Sequence, residues 1–113
     1  MSSNILDPVI VPENMVRDFI FTNPANANQT IDLPATFNCM GLDLFVRNRG
    51  AAAITVGTNV GAGSALVVTV DPGDVYTLSH TKIWFVEVLA AVAYDLQITG
   101  VKISTLQRRK LMK

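Results

Sequence analysis

The chain reads as all-β: a single-domain β-sandwich, jelly-roll-like, with about eight short strands. Three observations predict this. Apolar and polar residues alternate from Leu42 through Leu44 to Val46, and again from Tyr94 through Leu96 to Ile98, the period of a half-buried strand. Runs such as LVVTV are rich in side chains branched at Cβ, whose restricted χ1 suits a pleated surface. Turn-forming residues separate these runs at intervals of roughly ten residues, which suits a sandwich better than strands alternating with helices.

Composition bounds the reading further. With 113 residues, half of them hydrophobic and 16% charged, the chain suffices for one core and is too apolar for disorder. Arg108, Arg109, Lys110 and Lys113 are four of its nine cations, so residues 1–107 hold five cations against nine carboxylates, a net of −4. A mildly acidic body argues against a nucleic-acid partner. Cys39 is the only cysteine, which excludes an intrachain disulfide. The N-terminus lacks the basic and apolar blocks of a signal peptide. The most apolar run, Ile83 to Tyr94, is broken by Glu87 and too short to cross a bilayer. These features lead us to expect a soluble protein, made in a reducing cytoplasm, with no membrane partner.

Residues 1–16 read as an arm, since Pro8 and Pro12 remove backbone donors and disfavour helix before them. Its apolar residues Ile5, Leu6, Val9, Ile10 and Val11 leave two readings open, a frayed terminus or an arm packed on a neighbouring subunit. The sandwich domain spans 17–104. Its first strand is expected over 17–22, with Phe19 and Phe21 on one face and Ile20 on the other; its second, over 30–33, ends at Pro34. Residues 35–40 read as an irregular connection. The third strand, 42–48, turns at Asn48-Arg49-Gly50 into a fourth over 52–57, and GTNVGAGS follows as a loop.

Strands over 65–70 and 75–79 flank Asp71-Pro72-Gly73-Asp74. Proline presets φ at the first central position of that turn and glycine accepts positive φ at the second, so a hairpin is expected there. The seventh strand, 82–89, is apolar on both faces, with Trp84, Val86 and Val88 on one, read as the core face, and Ile83, Phe85 and Leu89 on the other; the alternative is the opposite phase, in which the second face is the core. Residues 90–93 fit either a helical turn or a loop. In the last strand, 94–104, the apolar phase slips by one across Gly100, which predicts a β-bulge at Thr99-Gly100. Residues 105–113 form a basic tail, either solvated or set against an acidic surface.

Few residues invite a catalytic reading. Gly57, Gly61 and Gly63 match neither the P-loop, for which the lysine is absent, nor the dinucleotide fingerprint, whose third glycine falls at Leu66. His80 is the only histidine, and Asp71 and Asp74 are better explained as turn formers. Cys39 suits a small core hydrophobe. No enzyme, metal or cofactor is expected. The informative residues are those that place apolar or basic groups where a lone sandwich faces solvent: Ile5, Leu6, Val9, Ile10 and Val11 in the arm, Phe45, Ile83 and Phe85 on strands, and Arg108, Arg109 and Lys110 in the tail.

The succession FVRNRGAAAITVG, LVVTVDPGDVYTL, KIWFVEVLA and a final alternating strand, within residues 41–104, resembles small virion proteins of tailed bacteriophages. It is similar to the jelly-roll or sandwich modules that decorate and cement capsids, in which a strand ending Asn-x-Gly precedes a Pro-Gly corner and a Trp-containing strand. The resemblance implies a homo-oligomer on the capsid exterior, synthesised in the host cytoplasm, that bridges subunits of the major capsid protein lattice and resists internal DNA pressure. Tail and fibre modules share this style, and the corresponding role would be binding a receptor or carbohydrate.

Overall fold

The computed structural model describes residues 17–59, 66–79 and 81–104. These residues form β1 (Phe19–Thr22), β2 (Gln29–Asp32), α1 (Leu33–Phe37), β3 (Cys39–Asn48), β4 (Ile54–Thr58), β5 (Leu66–Val70), β6 (Val75–Leu78), β7 (Phe85–Leu89) and β8 (Tyr94–Lys102). Two four-stranded antiparallel sheets result, in the orders β1-β8-β3-β6 (sheet 1) and β2-β7-β4-β5 (sheet 2). The pairing is nested: β1 with β8, β2 with β7, β3 with β6 and β4 with β5, as in one long ribbon. The ribbon winds between the sheets, and the β3–β8 and β4–β7 pairs join its windings. That connectivity is the eight-stranded jelly roll.

The sheets bury Ile31, Leu44, Val46, Ile54, Val56, Val86, Val88, Tyr94, Leu96 and Ile98 in one core. Burying each large aliphatic stabilises the fold by about 1.5–3 kcal/mol before ordering costs. Val70 is buried as well, and Val68, at an open edge, only half so. Trp84 departs from expectation and packs instead on a second cluster of Met40, Leu42 and Val101.

The strand expected over 82–89 is in fact two segments. Thr81 and Ile83 lie against β3, with the Ile83 N–H donating to the Gly41 carbonyl at 2.7 Å, and the chain then crosses to sheet 2 as β7. The crossing rotates the side chains, so Ile83, expected on the outer surface, is wholly buried in the core. Asn59 holds this corner. It is 4% exposed at φ 56°, and its Oδ1 accepts the N–H groups of Trp84 at 2.9 Å and Phe85 at 3.3 Å.

The turn at 71–74 has the expected chemistry, with Gly73 at φ 83° and the Asp74 N–H donating to the Asp71 carbonyl at 3.0 Å. Its flanking strands are not a hairpin, however, because β5 belongs to sheet 2 and β6 to sheet 1. A four-residue turn reverses the chain; it does not decide which strand lies beside which.

Residues 33–37, expected to be strand end and irregular chain, form α1. The Asp32 side chain accepts the Ala35 N–H at 3.0 Å, Pro34 falls in the first turn, and Asn38 closes the helix in the left-handed region at φ 55°. Residues 90–93 form no helix. The phase slip across Gly100 is present, since Ile98 lies in the main core and Val101 in the second cluster. The extra residue lies on the other strand: Gly41 faces Gly100 and Asp43 faces Thr99, which leaves Leu42 as the bulge while β8 runs through.

Candidate interaction surfaces

Of the sequence-predicted contact residues, the structure describes three. Ile83 is in the core, as above. Phe45 and Phe85 are half-buried and lie on different sheets, Phe45 in β3 and Phe85 in β7, so they do not form one patch. Ile5, Leu6, Val9, Ile10 and Val11, like Arg108, Arg109 and Lys110, lie outside the described residues. His80, Gly61 and Gly63 do too.

Phe45 has the more developed surroundings. On β3 it faces Thr77 of β6 and Gln97 of β8, and Leu44 and Val46 on either side of it point into the core. With Asp43, Thr77, Ser79, Gln97 and Thr99 it lines a shallow depression of about 260 Å³ on sheet 1. At one end Asp43 is held by Arg17, whose Nε donates at 2.7 Å, and by the Thr99 hydroxyl at 3.0 Å. The result is one aromatic face among hydroxyl and carboxamide groups, with the carboxylate neutralised by its guanidinium.

The largest exposed apolar side chains among the described residues are Ile20, Leu66, Val67, Val75 and Leu89. Alternation already sets Ile20 and Leu89 on outer faces, Leu89 on the same face of 82–89 as Phe85. Leu66, Val67 and Val75 lie on β5 and β6, and what alternation does not carry is that these two are edge strands.

No group of three or more metal-ligating side chains occurs among the described residues. Cys39 is 2% exposed, and its thiol donates to the Phe37 carbonyl at 3.2 Å. Burial pushes its pKa up, the Asp18 carboxylate adds to that, and Lys102 opposes it. Because the thiolate is the reactive form, Cys39 should react with a disulfide reagent at neutral pH at least about a hundredfold more slowly than in the unfolded chain. Equal rates with and without denaturant would contradict the packing described.

Comparison of the chain with protein-family models, curated proteins and solved structures finds no match.

Proposed function

We propose that this protein is a structural virion component that binds the outer surface of an assembled phage capsid and stabilises it by bridging coat subunits. The observation that carries this reading is the set of large apolar side chains left on the outside of a complete jelly roll, since exposed apolar groups on a folded module favour association. Attachment would be additive over many copies. Binding to the assembled lattice, and not to free coat protein, stabilises the lattice by mass action. An ordinary interface of roughly 1,600 Å² suffices for each copy.

A second reading, a tail or fibre module for a carbohydrate receptor, draws on the depression at Phe45, where an aromatic ring sits among Thr77, Ser79, Gln97 and Thr99. The two are separated by mixing purified protein with particles that lack it, and following occupancy together with particle melting temperature. Saturable binding with a raised melting temperature is expected. Removing residues 1–11 should weaken attachment while leaving the far-UV spectrum of the sandwich unchanged, and Phe45→Asp should weaken attachment more than folding. Absence of binding to capsids, with binding to glycans instead, would transfer the assignment to the second reading.

A further inference from the structure

The two open sides of the sandwich differ. At one side β1 and β2 are the edge strands, and α1 sets Phe37 against Phe19 and Phe21, with ring centroids 5.4 and 5.1 Å apart. At the other side the edges are β5 of sheet 2 and β6 of sheet 1, brought together by the four-residue turn at 71–74, and no described helix packs there. Leu66, Val67 and Val75 on these strands are 43%, 59% and 50% exposed, three of the five large apolar side chains exposed among the described residues. Val68, Tyr76 and Leu78 pack on the core from these same strands but remain only half-buried.

Neither strand carries a guard in its own sequence. LVVTV and VYTL contain no charge and no proline, the usual means of keeping an edge from pairing with another chain. We infer that the β5/β6 side is a self-association surface, occupied by the same side of a second copy of this chain about a two-fold axis.

Three features select a second copy. Antiparallel pairing of an edge with itself is two-fold symmetric, so one axis can pair β5 with β5 and β6 with β6, extending both sheets at once. Both strands are uncharged, so like-on-like pairing meets no repulsion along their length. The antiparallel arrangement also sends the Asp71–Asp74 turns of the two copies to opposite ends of the interface, which keeps their carboxylates apart. A single added peptide strand would satisfy one edge and leave the other open. One edge of four or five residues is also small beside the roughly 1,200 Å² at which specific interfaces begin. Such pairing needs no capsid and no other protein, so dimerisation in free solution is measured apart from the attachment proposed above, although both draw on Leu66, Val67 and Val75.

The test is sedimentation velocity of the full chain from micromolar to near-millimolar concentration, with amide hydrogen exchange at both ends of that range. The expected result is a closed dimer, with new protection confined to 66–70 and 75–78. Val67→Lys combined with Val75→Lys, both at exposed positions, should leave the fold intact by circular dichroism and weaken the dimer at least about tenfold. Thr22→Lys, at an exposed position of β1 on the opposite margin, should dimerise as the parent does. A parent that stays monomeric throughout overturns the inference. So does a dimer indifferent to the two lysines, protection of one edge alone, or loss of the dimer only on removal of residues 1–11.

Discussion

Gly100→Ala should leave the chain unable to reach its native fold. A Cβ at this position would lie 2.0 Å from the Met40 carbonyl oxygen, 2.8 Å from Gly41 Cα and 2.9 Å from the Met40 carbonyl carbon. All three are backbone atoms of β3, so no side chain can swing aside to make room. The site is where β3 and β8 pass the Leu42 bulge, and these two strands are the inner pair of sheet 1, with β1 and β6 on their outer flanks. Relief would require parting that pair. The expected loss exceeds about 4 kcal/mol, a large share of the whole stability of a small domain. The measurement is denaturant unfolding followed by circular dichroism, and a cooperative transition near the parent midpoint would refute the geometry. Gly73→Ala provides the contrast. Nothing lies within 4 Å of its Cβ, and the only obstacle is φ at +83°, so the loss should stay near 1–2 kcal/mol.

Asn48→Ala should come next, at about 3 kcal/mol. Asn48 is 1% exposed at the end of β3 and joins two corners that cross between the sheets. Its Nδ2 donates to the Ala52 carbonyl at 2.8 Å and the Val70 carbonyl at 2.9 Å, and its Oδ1 accepts the Gly50 N–H at 2.9 Å. Its backbone N–H donates to Asp74, and its carbonyl accepts the Gly73 N–H, both at 3.0 Å. The β3–β4 and β5–β6 corners are therefore tied through one residue. Alanine keeps the backbone bonds and strands three partners, of which the Val70 carbonyl faces a buried contact. Asn48→Asp should be no better, because a carboxylate would set oxygen against the two carbonyls that the amide now donates to. Unfolding free energies decide it: a loss below about 1 kcal/mol for Asn48→Ala would mean that water replaces the carboxamide.

Asn48 and Asn59 also mark the boundary between what could be read in the chain and what could not. The alternation at 42–48 and 94–98, the β-branched runs and the Pro-Gly turn determined by themselves that the protein is all-β, where most of its strands lie and, for strands that stay in one sheet, which face is apolar. That information is local, because side-chain period and turn dihedrals depend on residues a few positions apart. Which strands pair was decided only in three dimensions. The turn at 71–74 serves equally well within a sheet or between two, and the jelly roll uses it between two because β4 and β3 already offer partners to β5 and β6. Crossing between sheets turned Ile83 inward and Trp84 toward Met40 and Leu42, against a phase that holds only while a strand stays in one sheet. Phase slippage at Gly100 was visible in the sequence, but the bulge fell on β3, because a ladder can absorb one extra residue on either strand. The candidate surfaces followed the same division. Phe45 and the outward phase of Ile20 were legible from alternation, whereas the β5/β6 side exists only because nested pairing places those two strands, and no described helix, at one margin of the sandwich.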